Sequence, residues 1–307
     1  MYELTIIGGG PAGVAAGVYA SRKQLKTLFV TKEWGGQSTV SPDIQNWIGT
    51  PSIPGDKLAT DLKAHLETYA GDYVDVKSNS LVTTITKNSE GFTVTLASGD
   101  VFETKTILVA SGSKRRQLPA VNADIFEHKG LTYCASCDGP MFSGQDVVVT
   151  GGGNAAFETA AQLLAYAKSV TLLQRGAAYK ADPVTVEKVL AHPNMTGVLN
   201  AQIIEVSGDK FVSGLTYLDK VSNETKQLAT TGIFVEIGMI PNTSYLEGVI
   251  NLDEYKRVVI DPWTQKTSTP GIWAAGDCTN VLYHQNNIAA GDAVRALEDI
   301  YVTLKTK

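Results

Sequence analysis

Cys134 and Cys137 are separated by two residues, and Asp138 follows them directly. Thiols at that spacing close a small disulfide with little movement of the chain, and one of them gains thiolate character from its surroundings. A carboxyl beside them can give and take the protons that thiols exchange. Two glycine runs complete the set of residues suited to chemistry. Gly8-Gly9-Gly10-Pro11-Ala12-Gly13 follows the apolar run Leu4-Thr5-Ile6-Ile7, and Gly151-Gly152-Gly153-Asn154-Ala155-Ala156 follows Val147-Val148-Val149-Thr150. Each is a dinucleotide fingerprint in the strand-before, helix-after setting that the motif requires. Two dinucleotide sites and one dithiol in a single chain predict an electron relay, from nicotinamide to flavin to disulfide.

The elements that must hold these residues follow from the same text. Gly8 permits a tight strand-to-helix turn, Gly10 lets the backbone approach a pyrophosphate, and Gly13 lets the helix pack close to its strand. The helix opening at Pro11 offers its N-terminal N–H groups to the phosphates, and Pro11 loses nothing there because its N–H would be unpaired anyway. In the second run Gly151 and Gly153 have the same roles, Asn154 opens a helix expected to reach about Ala167, and Ala156 is the accepted variant of the last glycine. The apolar stretch Ser169-Val170-Thr171-Leu172-Leu173 then reads as a buried strand. The residue ending it, Gln174, is expected to face the ribose 2′ position. A carboxylate there selects NADH and a cluster of arginines selects a 2′-phosphate. This chain has neither, only Gln174 with Arg175 and Lys180 nearby, so NADH and NADPH both stay open.

Composition removes several other classes. A chain of 307 residues suggests about two domains. The formal net charge of -5 gives no electrostatic case for nucleic acid or an anionic membrane. No apolar stretch approaches the ~20 residues that span a bilayer, and no leader pattern precedes the first strand, so a cytoplasmic location is expected. Three cysteines, one pair and one stray, fit a reducing compartment in which any disulfide is transient and catalytic. Zinc is the competing use of Cys134 and Cys137, but a closed site needs four ligands. No second cysteine pair follows, and His65, His128, His192 and His284 are scattered singly, so no metal is expected. Cys278 has no partner thiol near it and reads as a buried, inert cysteine.

Further motifs give the chain a family resemblance. They are Gly35-Gly36-Gln37, Asn46-Trp47, Val109-Ala110-Ser111-Gly112, Asp138-Gly139 after the dithiol, Gly238-Met239-Ile240-Pro241-Asn242, Ala275-Gly276-Asp277-Cys278 and Gln285. With the two glycine runs they make the chain resemble the low-molecular-weight thioredoxin reductases over essentially all its length. It is similar as well to the related flavoprotein subunit of alkyl hydroperoxide reductase. The resemblance implies an α/β fold with two Rossmann-like dinucleotide-binding domains, the nicotinamide domain inserted into the FAD domain. Residues 1–114 and 244–307 would form the FAD domain, and 117–241 the NAD(P)H domain carrying the dithiol. Segments near 113–118 and 241–245 would be hinges that let the inserted domain swing. The family's FAD contacts fall on Gly10, Ala12, Gly36, Gln37, Asn46, Asp277 and Gln285. A helix opening at Gln285 would point its N–H groups at the pyrimidine edge of the flavin. Asn46 as a plain turn residue and Gln285 as a plain helix start are the competing structural readings. By the same resemblance Cys137 lies against the flavin, Cys134 is the more exposed thiol, and the protein is a homodimer.

Asp138 is assigned as the proton donor and acceptor for the thiols, with a helix N-cap as its structural alternative. The chain departs from NADPH-using thioredoxin reductases where they carry His-Arg-Arg-x-x-x-Arg and it reads Gln174-Arg175-Gly176-Ala177-Ala178-Tyr179-Lys180. Lys180-Ala181-Asp182 and Leu199-Asn200-Ala201-Gln202 look more like the hydroperoxide-reductase branch, which tips the expectation towards NADH. That branch carries a fused thioredoxin-like domain ahead of the flavin strand, whereas here the strand starts at Tyr2. Electrons are therefore expected to leave to a separate thioredoxin-, glutaredoxin- or peroxiredoxin-like protein. Two other readings are a relative fed by ferredoxin and a redox sensor without turnover. The intact second glycine run argues against the first, and the dithiol with Asp138 against the second.

Overall fold

The computed structural model describes residues 1–41 and 43–306. The chain divides into two compact units, Met1–Lys114 with Ile240–Lys307, and Arg115–Met239.

The first unit begins with β1 (Tyr2–Gly9), α1 (Pro11–Arg22) and β2 (Thr27–Trp34), and continues through α2 (Gly55–Ala70) to β3 (Val74–Lys77). The strands β3, β2 and β1 are parallel neighbours. In β1 Leu4, Thr5, Ile6 and Ile7 are all buried, as a strand covered on both faces requires. Alternation sends neighbouring residues to opposite layers. Leu4, Ile6 and Phe29 join the core formed with α1, α2 and the last helix of the chain. Ile7, Leu28 and Val30 pack on the other side. That second side includes β4 (Val82–Lys87) and β5 (Phe92–Leu96), an antiparallel pair that leads into β6 (Val101–Val109), which returns parallel to β1.

The chain leaves this unit through the short strand β7 (Ser113–Arg115). The second unit then runs β8 (Leu131–Thr132), α3 (Ala135–Asp138), β9 (Asp146–Thr150), α4 (Asn154–Leu163), β10 (Ser169–Leu173), α5 (Pro183–Leu190) and β11 (Met195–Val198). The meander β12 (Ala201–Gly208), β13 (Val212–Asp219) and β14 (Glu224–Ala229) follows, and β15 (Gly232–Val235) closes the unit. Five strands form a parallel sheet in the order β11-β10-β9-β15-β8. On one face Val147 and Val149 of β9 meet Phe157, Ala160 and Leu163 of α4. On the other Val148 meets Ile203, Val206, Val212 and Leu215 of the meander. The helix α4 stops at Leu163 rather than near Ala167. Tighter bonds from Ala165 N–H to Gln162 O and Tyr166 N–H to Leu163 O turn the chain there.

The return passes through β16 (Met239–Pro241) to β17 (Ile272–Ala274), which lies parallel to the second half of β6, and ends with α6 (Asn286–Lys305). Trp273 is buried, and its indole N–H donates to Asp299 of α6 at 2.9 Å. No helix among the described residues is long and apolar enough to cross a membrane. Mixed α/β architecture with Rossmann-like parallel sheets is thus present in both units.

Candidate active site and nucleotide cradles

Cys134 and Cys137 are joined in a disulfide, with their Cα atoms 5.3 Å apart. Cys134 caps the single turn α3, and its Sγ accepts the Cys137 backbone N–H at 3.2 Å. An N–H aimed at sulfur stabilises negative charge on it, so a thiolate at Cys134 has a donor already in place. Both cysteines are half-buried, whereas Asp138 is buried. Thr132, at the end of β8, donates its hydroxyl to Asp138 Oδ2 and accepts the Cys134 N–H at 3.4 Å. Its hydroxyl therefore ties the carboxyl to the backbone of the first cysteine. Asp138 precedes the turn Gly139–Phe142, yet its side chain makes no capping bond. The carboxyl is committed to Thr132 beside the disulfide instead. Cys278 is a free thiol, fully buried, with burial pushing it up to about 11. A thiol held protonated in this way is inert.

The first glycine cradle joins β1 to α1. Gly8 has φ of +125°, and a methyl group on it would overlap the Ala110 carbonyl. A methyl on Gly13 would overlap the carbonyl of Gly8, so helix and strand approach as closely as bare backbone allows. Gly10 differs: the nearest atoms to its missing side chain, in Gly35 and Gly36, are 3.9 Å away. Gly10 caps α1 with no side-chain bond, Pro11 follows, and the first turn holds no acid. The leading end of the helix thus carries no side-chain acceptor and has free space over Gly10, while Ala12 is buried behind it.

The other candidate FAD residues of the first unit lie on segments that meet near the starts of α1 and α6. Gly36 and Gln37, both half-buried, open the 3-10 turn Gly36–Val40. Gly276 lies between the starts of α1 and α6, since a methyl there would touch Ala12 at 3.3 Å and Ala289 at 3.4 Å. Asp277 follows it, with its Oδ1 3.4 Å from His284 Nδ1. Asn46 and Gln285 meet directly, the Asn46 amide donating to Gln285 Oε1 at 3.1 Å. Asn287 donates to the Asn46 carbonyl at 2.7 Å, and Ser38 donates to Asn286 at 3.2 Å. These bonds pin the segment after β2 to the start of α6, whose cap residue Gln285 makes no side-chain capping bond.

The second cradle joins β9 to α4. Gly151 has φ of +148° and abuts the Glu236 carbonyl, whereas the missing side chain of Gly153 has nothing within 4 Å. Gly153 caps α4 with no side-chain bond and no acid in the first turn. Asn154 and Ala156 begin the helix, Asn154 exposed and accepting the Asp182 N–H at 2.8 Å, Ala156 buried. Gln174 is buried, and its amide donates to the Ala178 carbonyl at 3.1 Å. It folds back onto its own loop beneath Gly152, while Arg175 and Lys180 stand exposed.

Both cradles fit a dinucleotide pyrophosphate. Each offers an uncapped helix N-terminus, an open approach over its third glycine and no competing carboxylate in the first turn. Among the described residues no cluster of three or more His, Cys, Asp or Glu is placed to hold a metal ion. Two residues at these sites escape sequence reasoning. Thr132 carries no local signal, since only folding brings it to Asp138. Glu236 has one, a lone carboxylate ending the apolar strand β15. It is half-buried, accepts the Thr159 hydroxyl at 2.9 Å, and is pushed up to about 7 by burial.

Known proteins resemble this chain in sequence and in fold. A family model described as pyridine nucleotide-disulphide oxidoreductase matches residues 2–293. The F subunit of alkyl hydroperoxide reductase from Escherichia coli (strain K12) is 40% identical over 296 residues, covering 96% of this chain and 57% of that protein. An NADH dehydrogenase of Bacillus subtilis (strain 168) is 36% identical over 295 residues, again 96% of this chain and 57% of the relative. The chain therefore spans a little over half the length of these relatives. Among solved structures, a thioredoxin reductase from Giardia duodenalis superposes with a TM-score of 0.92 at 29% identity, covering 100% of this chain and 99% of that one. A thioredoxin reductase from Streptococcus pyogenes gives 0.90 at 30% identity with the same coverage.

Proposed function

Because the chain belongs to the pyridine nucleotide-disulphide oxidoreductase family, we propose that it is an NAD(P)H-dependent flavoenzyme reducing a disulfide on a thioredoxin-, glutaredoxin- or peroxiredoxin-like protein. The observation that carries this reading is the Cys134–Cys137 disulfide with Asp138 held beside it by Thr132, in a chain with two open glycine cradles. The first unit is assigned as the FAD domain, with Gly8, Gly10, Ala12, Gly13, Gly36, Gln37, Asn46, Asp277 and Gln285 lining the site. The second is assigned as the NAD(P)H domain, with Gly151, Gly153, Asn154 and Ala156 at the pyrophosphate. NADH is the favoured nucleotide. Arg175 and Lys180 are the cations near the β10 end, and no arginine cluster suited to a 2′-phosphate accompanies them. FAD, when bound, accepts a hydride and passes on an electron pair.

The residues of the chain do the rest. Gly10 and the start of α1 offer backbone donors to phosphate oxygens, and the Asn46–Gln285 pair fixes the loop against α6. Two electrons and two protons convert the Cys134–Cys137 bond into two thiols. Asp138 is placed to hold a proton at its carboxyl oxygen and return it to the departing sulfur. The Cys137 N–H stabilises the thiolate at Cys134 Sγ. A thiolate of the pair attacks the partner's disulfide, forming a mixed disulfide that the second thiol breaks, so the partner leaves as a dithiol and Cys134–Cys137 is restored. A transient disulfide of this kind suits a reducing compartment, so we place the protein in the cytoplasm. We take it to be a homodimer, as its resemblance to the thioredoxin reductases implies.

The test is an anaerobic titration of the FAD-loaded protein. Two equivalents of NADH, one for the disulfide and one for the flavin, should remove the flavin absorbance, NADPH should be less effective, and added oxidised thioredoxin or peroxiredoxin should restore the colour. Colour unaffected by either nucleotide would rule out the electron source proposed. Equal response to both would remove the preference for NADH. Because of the 40% identity to the alkyl hydroperoxide reductase of Escherichia coli, a peroxiredoxin belongs beside thioredoxin in the acceptor panel.

A further inference from the structure

The parallel sheet of the second unit has the order β11-β10-β9-β15-β8, so the chain turns back between β9 and β15. Dinucleotides lie across the carboxyl ends of such a sheet at that switch point, with the pyrophosphate at the glycine turn. The glycine turn here ends β9, and the loop after β10 is the adenosine side. The nicotinamide half must then pass over the end of β15. The residue there is Glu236. Its backbone N–H donates to the Thr150 carbonyl at 2.8 Å, continuing the ladder beyond β15, and its carbonyl abuts Gly151. Its carboxyl accepts the Thr159 hydroxyl at 2.9 Å, which fixes it towards the second turn of α4.

We propose that Glu236 is a specificity-determining residue of the second cradle: its carboxyl meets the nicotinamide end of the dinucleotide and distinguishes the oxidised, cationic ring from the reduced, neutral one. The inference rests on the reading of this unit as the NAD(P)H domain. A carboxylate attracts the pyridinium of NAD⁺ and has no charge to meet in NADH; a protonated carboxyl treats the two nearly alike. Burial raises Glu236 to about 7, against the opposing charge of Arg115 and the Thr159 hydrogen bond, with Glu158 of α4 reinforcing the rise. The discrimination therefore changes across neutrality. On the alkaline side the ionised group holds the oxidised product more tightly.

Calorimetry on the FAD-loaded protein tests this with three probes. They are NAD⁺, tetrahydro-NAD (a neutral analogue without a transferable hydride) and ADP, which lacks the nicotinamide half. In the wild type the affinity ratio of NAD⁺ to tetrahydro-NAD should rise about tenfold from the acid to the alkaline side of neutrality, the size expected for one partly solvated charge contact. Glu236→Gln keeps the shape and an acceptor for Thr159. It should flatten that ratio with pH while leaving ADP affinity unchanged. A ratio independent of pH in the wild type, or the same pH dependence in Glu236→Gln, with ADP still bound, overturns the role of Glu236 alone. Absence of ADP binding in the wild type overturns the nucleotide assignment of the unit and the inference with it.

Discussion

The two cradles share a backbone and differ in their surroundings. The Gly35–Gly36 turn comes to 3.9 Å of the missing side chain of Gly10, Gly276 packs against Ala12 and Ala289, and nine of the twelve residues of α1 are buried. Around Gly153 nothing lies within 4 Å of the missing side chain, Asn154 and Ala155 are exposed, and five of the ten residues of α4 are buried. Both turns are open over the third glycine, and what differs is the helix behind it, embedded among more elements in the first unit than in the second. A deeply embedded helix suits a group that stays through many turnovers, because its surroundings hold their shape. A less embedded one suits a ligand that must depart as product in every cycle.

The strongest test separates the cradles from the chemistry they serve. Cys134→Ser or Cys137→Ser should leave both cradles loaded, with FAD retained and hydride uptake intact, while disulfide reduction falls by at least about a thousandfold. Thioredoxin or peroxiredoxin turnover persisting in either variant would take the dithiol out of the pathway. The next test exploits the last position of each fingerprint. Gly13→Ala pushes a methyl into the Gly8 carbonyl, which should cost about 3 kcal/mol and loosen FAD, read as a lowered melting temperature and flavin release. Ala156→Gly, at the matching place in α4, should cost only about 1 kcal/mol. Equal losses in the two variants would mean that the cradles are equally tight.

A smaller effect should appear at Glu236, whose carboxyl is raised from 4.5 to about 7 in the folded chain. Its contribution to stability is complete below the unfolded value and is lost as pH climbs from 4.5 through about 7. Glu236→Gln should therefore be more stable than the wild type on the alkaline side, by roughly 2 kcal/mol once partial solvation is allowed for. Denaturant curves that run parallel for the two proteins across that window would contradict the raised value. The smallest effect is expected at Gln174. Replacing it with Met removes the bond to the Ala178 carbonyl and should cost about 1 kcal/mol with little change in nucleotide choice. A changed ratio of NADH to NADPH turnover at unchanged stability would return the amide to the ribose.

Much of the architecture was readable in advance. The runs Leu4–Ile7 and Val147–Thr150 identify buried parallel strands, and the glycines that follow dictate a turn into a helix, because each rule acts within a few residues. The end of α4 was not readable, since Ala-rich text to Ala167 favours helix and the turn depends on Lys168 joining Gln145 across the unit. Gln174 shows a similar limit. Its spacing from the glycines places it at the end of β10, but its side chain turns inward to satisfy the Ala178 carbonyl.

Local chemistry in the chain was enough to specify two phosphate-ready turns, a closable pair of sulfurs and an acid next to them. Glycine conformation, strand alternation and cysteine spacing are all short-range properties. Which groups face those features came from folding. Thr132 reaches Asp138 because β8 ends over α3, Asn46 reaches Gln285 across more than two hundred residues, and Glu236 meets Gly151 because β15 pairs with β9. Such partners are chosen by strand order and helix packing, where the free energy of burying whole layers outweighs the preference of any single side chain.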